Sequence, residues 1–164
     1  KGITEVRLMT NNENIPLILI ADDDPDDQLM IREAFEERCQ DCQLCFVANG
    51  VELMAALRGE AGSLLPEGCP LPALVVVDLN MPLKDGRQAL VEIRSDPGLQ
   101  KLPTVILTTS RNDEDIRFCK AQGADDYIVK PTRYTELLNI VESLKSYWDH
   151  ENREPTTPDS INHD

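Results

Sequence analysis

No run of apolar residues in this chain approaches the roughly eighteen that a membrane-spanning helix needs, and the N-terminus carries no signal-peptide pattern. A soluble, cytoplasmic protein without a membrane partner is therefore expected. Basic residues are scarce: 16 Lys and Arg stand against 30 Asp and Glu, a formal net charge of −14. Binding a phosphate backbone needs clustered cations, so DNA and RNA are excluded as direct partners. Most of that negative charge is solvated surface, which favours solubility.

Paired cysteines are also lacking. The count is five, and an odd number with no sign of secretion points to free thiols rather than a disulfide framework. Cys39, Cys42 and Cys45 form a C-x2-C-x2-C run, but a zinc or iron–sulfur site wants a fourth thiolate or His, and position 49 is Asn. Cys39 is expected to close a helix and Cys45 to open a strand, so the three side chains should not converge. Cys69 and Cys119 read as small apolar residues.

What the chain does have is a core and a rhythm. With 164 residues, 41% of them hydrophobic, there is room for one domain. Residues 1–14 and 150–164 are polar and aperiodic, and are expected to be a flexible N-terminal tail and a disordered C-terminal tail around a domain at 15–149. Strands are predicted near 16–21, 44–48, 73–78, 104–108 and 126–129, alternating with helices. That alternation predicts an α/β fold, a doubly wound, five-stranded parallel sheet covered on both faces. Asp24-Pro25-Asp26-Asp27 supplies an N-cap, a Pro at the first helical position and an acid three residues on. Met30 with Ala34 and Ile31 with Phe35 form its buried stripe. Further helices run through Val51–Leu57, from Asp85-Gly86 with Leu90 and Ile93 inward, and from Asn112 to the terminating Gly123. The last carries Leu137, Ile140, Val141, Leu144 and Trp148 on one face. Trp148 is expected to pack on the core, the alternative being a dimer anchor. Gly59 to Pro72 reads as a long surface loop.

The chemistry lies at strand ends. Asp22-Asp23, Asp78, Thr108 and Lys130 each follow a short apolar run, and in an open α/β sheet the carboxyl ends of parallel strands share one ligand-binding edge. Asp78 leads into Asn80-Met81-Pro82 and Asp85-Gly86, which exposes a carboxylate able to attack phosphorus. An anion attacking an anionic phosphoryl group needs charge neutralisation, and Mg²⁺ supplies it with one or two carboxylates and several waters. Asp22 and Asp23, with Asp78 itself and the backbone carbonyl of Asn80, are the expected ligands. Lys130 can pair with Asp78 and then with a phosphoryl oxygen, and Lys130-Pro131 is a candidate cis peptide that would aim the amine inward. Thr108 can donate to a new phosphoryl oxygen.

These fragments in this order resemble the receiver domain of bacterial two-component response regulators. The likeness runs from Ile18-Leu19-Ile20-Ala21-Asp22-Asp23-Asp24-Pro25 through Val77-Asp78-Leu79-Asn80-Met81-Pro82 and Thr108 to Gly123-Ala124-Asp125-Asp126-Tyr127-Ile128-Val129-Lys130-Pro131. The resemblance implies a flavodoxin-like (β/α)5 fold with strand order 2-1-3-4-5. It implies Asp78 as phosphoacceptor, Asp22 and Asp23 on Mg²⁺, Lys130 on the phosphoryl group, and Thr108 with Tyr127 as the switch pair. The switch would act on the face of helix 4, strand 5 and helix 5, through which a homodimer is also possible in such proteins. Asn80 and Ser110 stand where receivers tune phosphate lifetime, and Thr109 is larger than the Ala or Gly often found there.

No effector domain is expected after residue 149, which implies a stand-alone regulator working through protein contacts. It would take its phosphoryl group from a histidine kinase and would not be an enzyme in the usual sense. The long loop, the Asp-Pro-Asp-Asp helix start and the Tyr147-Trp148 ending look similar to small regulators paired with phytochrome-type kinases, a bacteriophytochrome among them. Three rivals stand beside this reading. A haloacid-dehalogenase-type phosphatase wants an Asp where Asn80 sits. A flavin binder wants a Ser, Thr and Gly-rich loop where Asp22-Asp23-Asp24 would repel phosphate. A degenerate receiver, acting as a phosphorylation-independent interaction module, predicts loss of an acid or the lysine, and all are present.

Overall fold

The computed structural model describes residues 15–60, 62, 63, 65 and 70–149. The two expected tails, Cys69 and part of the 59–72 loop lie outside the described residues. Five parallel strands, β1 (Leu17–Ala21), β2 (Gln43–Val47), β3 (Leu74–Val77), β4 (Thr104–Thr108) and β5 (Asp126–Val129), form one sheet in the order β2-β1-β3-β4-β5. They alternate with α1 (Pro25–Arg38), α2 (Gly50–Leu57), α3 (Gly86–Ser95), α4 (Asp113–Ala121) and α5 (Tyr134–Leu144). The predicted topology and strand positions are those observed. Among the described residues no helix is long and apolar enough to cross a membrane.

Because strand side chains alternate faces, each central strand feeds two cores. Leu17, Leu19, Val75, Val77 and Ile106 pack with Leu53, Leu90 and Ile93 on one side. Ile18, Ile20, Leu74, Val76, Val105 and Leu107 pack with Ile31, Phe35, Leu137 and Val141 on the other. The register pairs Ala21 with Val77 and Ile106 with Tyr127, so the strand ends line up along one edge. Cys39 belongs to the α1–α5 side and Cys45 to the opposite core, which keeps the C-x2-C-x2-C run from converging.

Local chemistry sets the helix starts as expected. Asp24 Oδ1 accepts from Asp26 N at 2.9 Å, and Asn112 Oδ1 from Glu114 N at 2.8 Å. Asp85 and Gln88 form a reciprocal capping box on α3. Gly123 follows the C-cap of α4 with φ of 93°. Two expectations need correction. Met30 is exposed while Ile31, Ala34 and Phe35 are buried; at about 100° per residue, Met30 stands a quarter turn off that stripe. The last helix ends at Leu144 and tightens into a 3-10 turn, Lys145–Tyr147, so Trp148 lies beyond it. Trp148 still packs, half-buried, against the α1–α5 core, as Ile140 does.

Among the described residues, Leu83 alone adopts positive φ without being glycine, at 68°, and it is 80% exposed. The left-handed region costs a β-carbon-bearing residue roughly 1–2 kcal/mol, partly offset in glycine by unfolded-state entropy. Leu83→Gly is therefore expected to raise stability by about 0.5–1 kcal/mol in chemical denaturation. An unchanged or lower midpoint would mean that the Leu83 side chain stabilises the loop by an equal amount.

Candidate functional site

The exits of β2, β1 and β3 are tied together by backbone before any side chain is placed. Asp22 N donates to Val47 O at 3.0 Å, and Asp78 N to Ala21 O at 2.9 Å. These bonds hold Asp22 and Asp78 as neighbours at the sheet edge, both buried, with Asp23 exposed beside them. Carboxylate oxygens of Asp22, Asp23 and Asp78 all lie within 4.8 Å of one another. Asp22 Oδ1 accepts from Asp24 N at 3.0 Å, Gln28 Nε2 donates to Asp22 O at 2.5 Å, and Asp78 Oδ1 accepts from Asn80 N at 3.3 Å. An all-carboxylate oxygen set of this size fits a hard divalent cation of the Mg²⁺ kind and is wrong for a thiolate-seeking metal.

Gly86 makes the corner possible. Its N–H donates to Leu79 O at 2.9 Å, and a β-carbon there would stand 2.3 Å from the carbonyl oxygen of Asp78. Only a residue without a side chain lets α3 start so close beneath the acid.

Lys130 closes the pocket from β5. Its Nζ meets Asp22 Oδ2 at 2.8 Å, Asp78 Oδ2 at 2.9 Å and Asp27 Oδ2 at 2.6 Å. Burial alone would lower the amine's pKa, but the hydrogen bonds to Asp22, Asp27 and Asp78 outweigh it and push it well above the ordinary lysine value. Burial raises the pKa of Asp22, opposed by its bonds to Lys130 and Asp24 N. The described residues contain no cis peptide, so the Lys130–Pro131 bond is trans, contrary to expectation. The amine reaches the acids without isomerisation because β5 already ends at the same edge.

Asp27 was legible only as a helix-start acid. Its tie to Lys130, 103 residues away, needed the fold. The available signal was its place in the first turn of the helix that leaves the Asp22-Asp23 loop.

Thr108 is buried at the end of β4, where Lys130 N donates to its carbonyl oxygen at 2.8 Å and Ser110 N to its Oγ1 at 3.4 Å. Tyr127 is half-buried, and its hydroxyl donates to Ser110 O at 2.9 Å. The same Ser110 donates through Oγ to Asp115 Oδ2 at 2.7 Å, and Asp115 is gripped by Arg87 through Nε at 2.9 Å and Nη2 at 2.8 Å. This Arg87–Asp115–Ser110 chain ties the starts of α3 and α4 to the segment after Thr108, and sequence spacing did not reveal it.

The Ser110 hydrogen bond and Arg87 hold the Asp115 carboxyl below its ordinary pKa. A depressed carboxylate pKa contributes stability above the unfolded value near 4 and loses it as pH falls through the folded one. Asp115→Asn is therefore expected to melt lower than the parent at pH 7, with the gap closing below about pH 4. A gap that stays constant with pH would count against the charge and in favour of side-chain shape.

The comparisons with known proteins agree with this geometry. A family model described as the response regulator receiver domain matches residues 18–142. The response regulator Rcp1 of Synechocystis sp. is 32% identical over 141 residues, covering 85% of this chain and 94% of that protein. The crystal structure of the phosphorylated cyanobacterial phytochrome response regulator RcpA superposes with a TM-score of 0.76 at 33% identity, over 86% of this chain and 99% of that one. The Mn²⁺-bound form of Rcp1 gives a TM-score of 0.74 at 31% identity, over 85% and 99%. The chain belongs to the response regulator receiver domain family.

Proposed function

We propose that the protein is a phosphoryl-accepting switch, a stand-alone response regulator with Asp78 as the acceptor. The observation that carries this reading is the pairing of the buried Asp78 carboxylate with the Lys130 amine at 2.9 Å, beside two further acids at the strand edge. An Asp78 oxygen would attack the phosphorus of a kinase phosphohistidine, forming an O–P bond as the N–P bond breaks and leaving the imidazole to take up a proton. Asp22, Asp23 and Asp78, with the Asn80 carbonyl, would hold Mg²⁺. The bound cation supplies charge neutralisation between carboxylate and phosphoryl oxygens. Lys130, already charged and oriented, would bond a phosphoryl oxygen. Thr108 would offer its hydroxyl to another, and Tyr127 would exchange its bond to Ser110 O for an inward position. A phosphoryl group that bonds better in one conformation shifts a two-state equilibrium by that difference.

The output would be a protein contact made by α4, β5 and α5, including a possible homodimer there. The donor would be a cytoplasmic histidine kinase. The likeness to Rcp1 and RcpA favours a kinase of the phytochrome type. On this reading the protein promotes its own phosphorylation and dephosphorylation without being an enzyme on other substrates.

The test is intact-mass spectrometry after incubation with acetyl phosphate, with Mg²⁺ or with chelator, beside Asp78→Asn. A single Mg²⁺-dependent phosphoryl adduct, absent in the variant, is expected. If neither acetyl phosphate nor a purified kinase phosphohistidine gave an adduct, a phosphorylation-independent interaction module would take this reading's place.

A further inference from the structure

The geometry points to Asp27 as a positioning residue for Lys130, a carboxylate outside the metal cluster that holds the amine in place through the whole phosphorylation cycle. The inference rests on the phosphoacceptor reading and adds to it a residue which that reading leaves without a part. An ammonium group has three N–H donors, and Lys130 has three carboxylate acceptors around it, Asp22, Asp27 and Asp78. Two of those three have other duties. Asp22 and Asp78 belong to the cluster of oxygens suited to a divalent cation, and Asp27 does not. Phosphorylation would also convert one Asp78 oxygen to a bridging oxygen and the other to a neutral carbonyl, a weaker acceptor.

Asp27 takes no part in that phosphoryl linkage or in the metal cluster, so both its oxygens stay available to the amine. It sits in the first turn of α1, on backbone fixed by the Asp24 cap and by Pro25. A lysine stem has four rotatable bonds and no rigidity of its own. With Asp27 as the permanent acceptor, one N–H stays anchored and the other two stay directed at Asp22 and Asp78, the side on which a phosphoryl group would be carried.

The bland alternative is that Asp27 only complements the helix dipole, as acids in first turns do. Asp26 provides the matched control, since it is an exposed acid in the same turn with no bond to Lys130 among its hydrogen bonds and ion pairs. The experiment follows phosphoryl adduct formation with acetyl phosphate and Mg²⁺ in the full chain, over a range of donor concentrations. Asp27→Asn is expected to lower the maximal rate about tenfold, a loss of orientation, while half-saturation by donor moves less than about threefold. Asp27→Glu should recover most of that rate and Asp26→Asn should leave it unchanged. In a Lys130→Ala background Asp27→Asn should add less than about a twofold effect, because its target is gone.

Equal effects of Asp26→Asn and Asp27→Asn, or the same loss without Lys130, would overturn the inference. So would a rise in rate, which would make Asp27 a competitor for the amine. The ¹⁵N resonance of the Lys130 amine, recorded without Mg²⁺ or donor, separates this inference from the reading beneath it. If the wild type accepts no phosphoryl group, the phosphoacceptor reading fails. A slowly exchanging amine signal lost in Asp27→Asn would still support the anchor, and a signal indifferent to the substitution would overturn it.

Discussion

Replacing Gly86 with alanine is expected to cost about 3 kcal/mol of stability and to cut phosphoryl acceptance by roughly a hundredfold. The new β-carbon would meet the Asp78 carbonyl oxygen at 2.3 Å, Leu79 Cα at 2.8 Å and the Asp78 carbonyl carbon at 3.0 Å. All three are backbone atoms, so no side chain can rotate away. Either α3 withdraws, breaking the 2.9 Å bond from Gly86 N to Leu79 O, or the β3 exit moves and takes Asp78 with it. Gly98→Ala is the control, because the nearest atom there is Asp96 Oδ1 at 3.4 Å, the end of a side chain. Denaturation curves and adduct formation measure both effects. A Gly86→Ala protein as stable and as reactive as Gly98→Ala would show that the corner has slack absent from this geometry.

Lys130→Met is expected to destabilise the metal-free protein by about 2–3 kcal/mol, somewhat below the usual cost of orphaning a buried ion-pair partner because Asp27 remains partly solvated. The amine is the cation that neutralises Asp22 and Asp78, both buried, together with Asp27. Without it, their repulsion is relieved only by protonation or by an added cation. Millimolar Mg²⁺ should therefore recover most of the loss and stabilise the variant more than it does the parent, since a ligand stabilises in proportion to its affinity for the folded state. Thermal melts with Mg²⁺ and with chelator give the comparison. An equal deficit in both would assign the role of Lys130 to stem packing rather than to charge.

Strand positions and the placement of Asp22-Asp23, Asp78 and Lys130 were legible in the sequence because each group directly follows an apolar run, whereas the sheet order came from the resemblance to receiver domains. A parallel sheet turns that adjacency into a shared edge. Helix starts were legible for a similar reason: Asp24, Asp85 and Asn112 act on backbone two or three residues away. What stayed hidden was long-range. Asp27 has the same local credentials as any first-turn acid, and only the approach of β5 gives it a partner. Arg87 and Asp115, 28 residues apart, are ordinary surface charges until α3 and α4 are set side by side. Met30 was misplaced because an i, i+4 pair with Ala34 admits two phases of the helix, and the packing of Ile31 and Phe35 decided between them. The trans Lys130–Pro131 bond was beyond reach as well, since both isomers are open to an isolated Lys-Pro pair.

The ion pair between Lys130 and Asp27 spans 103 residues, and α1 packs directly on α5. A chain emerging from the ribosome therefore displays its acids long before it has made the amine that tempers them. Until β5 and α5 are synthesised, the sheet lacks its last strand and α1 lacks its neighbour. The acidic edge is thus completed only by the last-made elements of the fold, after every acid of the cluster has been synthesised.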